Sequence, residues 1–298
     1  MFYFPDTPDL PLPPGHRFPA GKYRMLREEA EREALFAGIG LQASPEVTLD
    51  ELALAHDADY IGDVLNGRLS AEAVRRIGVP WSPILVQRSL VTVGGALRAA
   101  RDALRDGISG QLAGGTHHAH RSFGSGFCVF NDLAVASLAL LREGAVSRVS
   151  ILDCDVHQGD GTAAILADEP RAQTISMHGA GNFPFRKAAS DIDIALVDGT
   201  GDRDYLAQLD QALSAIAAFA PDLVLYLAGA DALAADRLGR LALSAQGLAA
   251  RDTVVLDFCR ARRLPVSIAI GGGYAEPISI TVEAYMETFR TARRIYRF

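Results

Sequence analysis

The stretch from Ile151 to Gly161 constrains the fold most, because it joins a strand-like apolar run to closely spaced acidic and imidazole groups. The apolar run Val149 to Leu152 leads into Asp153, Asp155 and His157, which are spaced two residues apart. In an extended backbone, side chains two residues apart point to the same face. Charge repulsion on such a face is unfavourable unless a cation lies between its groups. Carboxylate and imidazole ligands together suit zinc or ferrous iron. The alternative is a strand that simply ends in a polar loop.

The composition describes a globular protein with a large core. The 298 residues are 49% hydrophobic and 22% charged, and the net charge of −7 argues against nucleic acid or an anionic membrane as partner. The cysteines Cys128, Cys154 and Cys259 are odd in number and follow no zinc-finger spacing, which fits a reducing compartment. We find no secretory signal and no apolar run of the ~18 residues that a membrane helix needs. We therefore expect a soluble, cytoplasmic protein.

Helical and strand-like patterns alternate along the whole chain. The spacing of apolar residues predicts helices over 22–36, 48–54, 56–65, 90–104, 131–141, 163–166, 202–219, 244–263 and 276–294, with a loop over 81–85. Runs of strand length occupy the first few residues and 110–113, 149–152, 173–177, 221–227 and 265–270. This alternation predicts an α/β fold, in which one domain over residues 1–298 forms a doubly wound, mainly parallel sheet flanked by helices.

Reactive groups follow several of the predicted strands. The adjacent histidines His117 and His118 come after a glycine pair, Asp231 ends the run over 221–227, and Tyr274 follows three glycines. In open α/β sheets, ligands bind outside the carboxyl ends of the strands. We therefore expect these groups to share one site with the acidic stretch after Leu152. The segment Gly15 to Pro19 is either a rim of that site or a plain surface loop.

Five ordered motifs make the chain resemble the zinc-dependent histone deacetylase family of the arginase/deacetylase superfamily. They are GGTHHAH at 114–120, SGFCVFND at 125–132, DCDVHQGDG at 153–161, AGAD at 228–231 and GGGY at 271–274. The chain is most similar to the class IV (deacetylase-11-like) branch and to bacterial deacetylase-like amidohydrolases. The segments GHRFP at 15–19 and DRLGRLALSAQG at 236–247 carry that similarity. The resemblance covers essentially the whole chain and implies the arginase/deacetylase fold.

The resemblance implies a metal centre with two histidines beside it. Asp155, His157 and Asp231 match the family's zinc ligands. His118 matches the general base that later acts as the acid, and His117 matches the histidine that stabilises charge. Zinc is the implied metal, with ferrous iron as the alternative in the cell.

The resemblance also assigns the groups around these histidines. Asp153 and Asp160 match the carboxylates that orient His117 and His118, respectively. Tyr274 matches the tyrosine that hydrogen-bonds the substrate carbonyl. These assignments agree with the chemistry of amide hydrolysis, because a phenol aimed at a developing oxyanion typically contributes ~3 kcal/mol.

Two further sites follow from the same resemblance. Phe127 and Phe183 match aromatic walls of the tunnel that holds the acyl-lysine, and we expect Gly126 and Gly272 to contact substrate there. A structural potassium ion is implied at a second site, formed by Asp153, Asp155, His157, Ser176 and Met177.

These matches imply an amidohydrolase that removes an acetyl or longer fatty acyl group from the ε-amine of lysine in proteins or peptides. Zinc with an open position lowers the pKa of water towards ~7 and polarises the amide carbonyl. The alternative substrate is a small acylated amine of the acetylpolyamine type. Gly271 argues against that alternative, because polyamine-selective relatives carry an acidic residue at this position.

Two readings from other classes remain open at this point. The arginase-like ureohydrolases share the architecture but hold two manganese ions, and they need an acidic residue where this chain has Gly159. A mononuclear site is therefore favoured. A non-catalytic acyl-lysine binding module is the other alternative, which metal-dependent turnover of an acyl-lysine peptide would exclude. The sequence leaves the oligomeric state and the preferred acyl chain open.

Overall fold

Every strand pairing in the computed structural model, which describes residues 1–298, is parallel. The strands form one sheet in the order β2-β1-β3-β8-β7-β4-β5-β6. Their bounds are β1 (Phe2–Phe4), β2 (Leu41–Ala43), β3 (Ile108–Gln111), β4 (Val149–Asp153), β5 (Ala172–Gly179), β6 (Ile192–Leu196), β7 (Leu223–Ala228) and β8 (Val266–Ile270). All six residues of β7 are buried, as expected for a central parallel strand that is covered on both faces.

Ten helices connect and cover these strands. They are α1 (Lys22–Arg32), α2 (Leu49–Ala55), α3 (Ala58–Leu65), α4 (Ala71–Ile77), α5 (Pro83–Asp106), α6 (Asp132–Glu143), α7 (Asp160–Leu166), α8 (Asp202–Phe219), α9 (Ala245–Arg262) and α10 (Ser279–Tyr296). None of them combines the length and the hydropathy that a bilayer-spanning helix requires.

The core consists of two apolar clusters, which take alternate residues from the central strands. Along β4, Leu152 belongs to one cluster and Ile151 to the other, and along β7 Tyr226 and Leu225 divide in the same way. Successive side chains of a strand point to opposite faces, so the two clusters lie on opposite faces of the sheet. Helices α1, α8, α9 and α10 contribute to the first cluster, and α5 and α6 to the second.

The predicted α/β class with a mainly parallel sheet is confirmed, and several element bounds are wrong. The expected loop over 81–85 lies partly inside α5, because Ser82 caps the helix and Pro83 occupies its first turn, where proline lacks no needed hydrogen bond. The strand expected at 110–113 begins earlier, at Ile108. The short elements β2, β6 and α4 were not predicted; β2 and β6 are edge strands whose exposed residues obscure the apolar pattern.

The core packing gives a first stability prediction. Leu209 of α8 is completely buried in the first apolar cluster. We expect Leu209→Ala to lower the free energy of unfolding by about 2–5 kcal/mol, because the lost methyl groups leave a cavity. Val197 is 72% exposed, so Val197→Ala serves as the control and should change stability by less than about 0.5 kcal/mol. Urea unfolding of the two variants measures both values, and equal losses would contradict the packing described above.

Candidate active site

The carboxyl ends of two neighbouring central strands, β4 and β7, bring the predicted metal ligands together. Asp155 follows β4 and Asp231 follows β7, and both side chains are buried. His157 is half-buried beside them. Each of the three offers a ligand atom, and these atoms all lie within 4.8 Å of one another. The sheet therefore joins two ligands from one loop to a third from a neighbouring strand.

The two buried carboxylates are held by backbone amides and by one imidazole. His157 Nδ1 lies 2.9 Å from Asp155 Oδ1 and 3.1 Å from Asp231 Oδ2. The remaining oxygens accept hydrogen bonds from backbone, Asp155 Oδ2 from Gly272 N at 2.6 Å and Asp231 Oδ1 from Val156 N at 2.9 Å. No lysine or arginine pairs with either carboxylate. Two carboxylates and an imidazole without a fixed counter-charge fit a divalent cation.

The pKa values of Asp231 and His157 are both raised, as expected for buried carboxylates that lack a counter-charge. Burial and the nearby charge of Asp155 raise the pKa of Asp231 to about 7. Burial alone would lower the pKa of His157, but its hydrogen bonds to Asp155 and Asp231 outweigh burial and raise that pKa to about 10. Without a cation, the cluster therefore retains protons at neutral pH.

The tandem histidines each contact a different carboxylate through Nδ1. His117 Nδ1 lies 2.6 Å from Asp153 Oδ2, and His118 Nδ1 lies 2.6 Å from Asp160 Oδ1. The other oxygen of Asp160 lies 3.1 Å from His120 Nε2. Since each Nδ1 is engaged, Nε2 is the free nitrogen of His117 and His118. Their rings lie close together, with centroids 4.1 Å apart.

The pKa values of the tandem histidines are shifted in opposite directions. Burial, reinforced by the charge of His117, lowers the pKa of His118 to about 4. Burial also opposes a charge on His117, but the charges of Asp153 and Asp155 outweigh it and raise the pKa of His117 to about 9. At neutral pH the pair therefore combines a neutral imidazole with a charged one.

The extended geometry predicted for the acidic stretch is wrong beyond Asp153. Strand β4 ends at Asp153, where Oδ1 accepts a hydrogen bond from Asp155 N at 3.0 Å and turns the chain. Asp153 thus contacts His117, while Asp155 contacts His157. The alternation rule failed because it applies only while the backbone stays extended.

A cavity of about 630 Å³ opens onto these groups, and three predicted aromatic residues line it. The ring of Phe183 meets the ring of His118 edge to face, with centroids 4.9 Å apart. The ring centroids of Phe127 and Tyr274 are 6.0 Å apart. Burial of the phenol, with Asp155 nearby, raises the pKa of Tyr274 well above its usual value, so the hydroxyl remains a neutral hydrogen-bond donor.

Two glycines permit the close packing of the site. A Cβ at Gly126 would lie 2.5 Å from the ring of His118, and φ is +54° there. A Cβ at Gly272 would lie 1.8 Å from Asp231 Oδ2. Both glycines line the cavity, and neither tolerates a side chain.

The residues expected around potassium also lie together. Asp153 of β4 pairs with Ser176 of β5, and Met177 follows in the same strand. Ser176 Oγ lies 3.0 Å from His178 Nδ1, so its hydroxyl already has a partner. The potassium ion itself stays a prediction.

Two buried residues that hold the Gly271–Gly272 backbone gave no signal in the sequence. The amino group of Lys22 donates to Gly271 O at 3.1 Å and lies 5.3 Å from the ring of Tyr274. The hydroxyl of Tyr285 accepts from Gly271 N at 3.1 Å and donates to Gly272 O. Lys22 lies 249 residues from Gly271, and Tyr285 lies inside the following helix α10, so no pattern next to the glycines indicates either contact.

Two further acidic residues near the site lie in motifs already identified in the sequence, so the sequence did give a signal for them. Asp132, the last residue of SGFCVFND, accepts hydrogen bonds at 2.9 Å from Gly115 N and Thr116 N, next to the tandem histidines. Asp236 begins DRLGRLALSAQG and accepts from Tyr274 N at 2.6 Å. The motifs marked both residues, but only the structure gives their partners.

Known proteins resemble this chain in both sequence and fold. Residues 16–289 match the family model described as the histone deacetylase domain. An uncharacterized protein from Picosynechococcus sp. is 42% identical over 297 residues, which cover 99% of each chain. A solved structure, the HDA15 HD domain, superposes with a TM-score of 0.82 at 22% identity, covering 99% of this chain and 87% of the other, and it shows the same fold.

Named relatives are longer than this chain. Histone deacetylase 2 of Arabidopsis thaliana is 32% identical over 239 residues, which cover 77% of this chain and 62% of the relative. Histone deacetylase 1 of Homo sapiens is 28% identical over 283 residues, which cover 87% of this chain and 58% of the relative. Since the family model spans nearly all of the sequence, this chain belongs to the histone deacetylase family.

Proposed function

We propose that residues 1–298 form one catalytic domain, a metal-dependent amidohydrolase that removes an acetyl or longer acyl group from the ε-amine of lysine in proteins or peptides. The observation that carries the proposal is the cluster of Asp155, His157 and Asp231, whose ligand atoms lie within 4.8 Å of one another. The cluster adjoins His117 and His118, and each of these histidines contacts its own carboxylate.

Asp155, His157 and Asp231 would hold one metal ion, zinc or ferrous iron. When bound, such an ion acidifies water and polarises the amide carbonyl. The two carboxylates would also bring their backbone partners to the site, since Gly272 N donates to Asp155 and Val156 N donates to Asp231. These amides fix the orientation of both carboxylates before any ligand arrives.

His118 would act as the general base and then as the acid. Its pKa of about 4 leaves Nε2 unprotonated at neutral pH, so it can accept a proton from the attacking water. The same low pKa favours release of that proton to the nitrogen of the leaving amine. Asp160 holds Nδ1 and thereby keeps Nε2 directed towards the cavity.

His117 and Tyr274 would stabilise the negative charge that develops on the carbonyl oxygen. The carboxylate of Asp153, whose Oδ2 lies 2.6 Å from Nδ1, favours a positive charge on the ring of His117. The phenol of Tyr274 stays protonated and can donate a hydrogen bond to the same oxygen. Asp236 fixes the backbone amide of Tyr274 and so limits where the ring can lie.

The aromatic walls of the cavity support an acyl-lysine substrate. Phe127 and Phe183 line the cavity, and a lysine stem is a chain of four methylene groups that packs well between aromatic rings. Zinc in preference to iron, acyl-lysine in preference to a small acylated amine, and the potassium site are parts of the proposal.

The first prediction about function concerns the phenol of Tyr274. We expect Tyr274→Phe to retain the metal and to lose about 10²-fold or more in kcat, because one donor to the oxyanion is removed. Steady-state hydrolysis of an acetyl-lysine peptide measures kcat, and elemental analysis measures the metal. Tyr296→Phe is the matched control, since the hydroxyl of Tyr296 has no hydrogen-bond partner. Unchanged turnover of Tyr274→Phe would refute the oxyanion role.

The second prediction concerns the third ligand. We expect Asp231→Ala to abolish retention of the metal, because the remaining donors come from a single loop. Asp210→Ala is the control, since Asp210 is exposed on α8, away from the site. Elemental analysis of the purified variants gives the metal per chain. A full complement of metal in Asp231→Ala would show that Asp231 is not a ligand.

The third prediction is the pH dependence of metal affinity. The pKa of His157 is raised to about 10, so a proton must leave when the metal binds anywhere below that pH. Affinity should therefore rise about tenfold per pH unit between pH 7 and 9, and more steeply below pH 7, where Asp231 with its pKa of about 7 also loses a proton. Competition with a chelator of known affinity measures the slope. An affinity independent of pH would contradict the proposed ligands.

A further inference from the structure

One face of α5 forms a wall of the cavity. Leu85, Arg88, Ser89 and Thr92 line the cavity, and their spacings of three and four residues place them on one side of the helix. Helix α5 packs against one face of the sheet, whereas Phe183 comes from the loop after β5. The cavity thus extends from the proposed catalytic residues to α5.

Two polar groups on this wall have no partner in the protein. The half-buried guanidinium of Arg88 stacks on the ring of Tyr23, with Cζ 3.9 Å from the ring centroid, and makes no hydrogen bond or ion pair. Thr92 is only 5% exposed, and its hydroxyl makes no hydrogen bond either. The two side chains are four residues apart and so lie one helical turn from each other. Stacking fixes the position of a charge that nothing in the protein neutralises.

The charges around the cavity favour an anionic ligand. Of the 36 acidic residues, only Asp155 lines the cavity, and Asp155 is a proposed metal ligand. Four arginines line it. Arg76 pairs with Glu72 at 3.3 Å and Arg240 pairs with Asp198 at 3.2 Å, whereas Arg17 and Arg88 have no acidic partner.

We propose that Arg88, assisted by Thr92, binds a carboxylate of the substrate. This inference rests on the proposed deacylase function and narrows its substrate class. A guanidinium presents two parallel donors that match the two oxygens of a carboxylate. Arg17, at the exposed end of the cavity, adds a weaker, solvent-screened attraction.

The carboxylate can come from two parts of the substrate. It is either the far end of the acyl group, as in succinyl- or glutaryl-lysine, or an acidic side chain next to the acylated lysine. The burial of Thr92 favours the acyl group, because a neighbouring residue of a peptide stays near the surface.

The test uses two matched pairs of peptides with the metal-loaded full chain. The first pair is succinyl-lysine against the same peptide with a terminal amide in place of the carboxylate. The second pair is acetyl-lysine next to Asp against acetyl-lysine next to Asn. Calorimetry gives Kd and hydrolysis gives kcat/KM for each. We expect the carboxylate member of one pair to bind about tenfold more tightly or better, as for a hydrogen-bonded charge pair.

Variants assign that preference to Arg88. Arg88→Gln should remove most of the tenfold preference for the carboxylate member over its uncharged partner, because the charged contact is lost. Arg88→Lys should retain part of the gain, since it keeps the charge and loses the paired donors. Arg75→Gln is the matched control, because Arg75 is exposed, unpaired and outside the cavity.

The possible outcomes test the carboxylate site at Arg88 and the deacylase function separately. A preference in the first pair assigns the carboxylate to the acyl group, and a preference in the second assigns it to a neighbouring residue. No preference in either pair, or equal loss for charged and uncharged peptides in Arg88→Gln, overturns the site. Tight carboxylate-dependent binding without turnover of any peptide would instead contradict the deacylase function and leave the site standing.

Discussion

The structure depends on two buried carboxylates, Asp155 and Asp231, held side by side with no arginine or lysine to neutralise them. Such a pair is destabilising unless a cation or a proton joins it. A buried arginine, Arg251, does lie beside the site, but it contacts backbone carbonyls and Asp252 and neither of these carboxylates. Its Nη1 donates to Gly229 O at 2.6 Å and to Cys154 O at 3.3 Å, while Asp252 takes its charge. Arg251 therefore fixes the loops that carry the carboxylates and leaves their charge for a ligand.

A parallel sheet makes this arrangement available. Strands β4, β7 and β8 are neighbours that all end at the same edge, so their loops meet without long excursions of the chain. Residues of helices fix two of the loops at this edge, the one after β3 and the one after β8. Asp132 of α6 holds the backbone before the tandem histidines, and Lys22 and Tyr285 hold the backbone around Gly271. The geometry of the candidate site thus depends on the packed helices as well as on the strand ends.

Sequence patterns predicted the class of fold and placed the candidate site residues at one edge of the sheet, because apolar periodicity and strand-terminal motifs are local signals. The sequence patterns did not predict contacts between residues far apart in the chain, nor the short edge strands. Lys22 contacts a backbone atom 249 residues away, and no pattern around Lys22 indicates this. Strands β2 and β6 are short or partly exposed, so they lack the continuous apolar run of a central strand. The course of the chain after Asp153 depends on side chain to backbone bonds that a two-residue alternation cannot represent.

The central claim is that one metal ion binds between Asp155, His157 and Asp231. Anomalous diffraction from crystals of zinc-reconstituted protein, recorded on both sides of the zinc absorption edge, tests it most directly. We expect a single peak present only above the edge, at ligand distances of ~2.0–2.2 Å from a carboxylate oxygen of each aspartate and from a ring nitrogen of His157. No peak there, or two peaks that share the carboxylates as in a dinuclear centre, would contradict it.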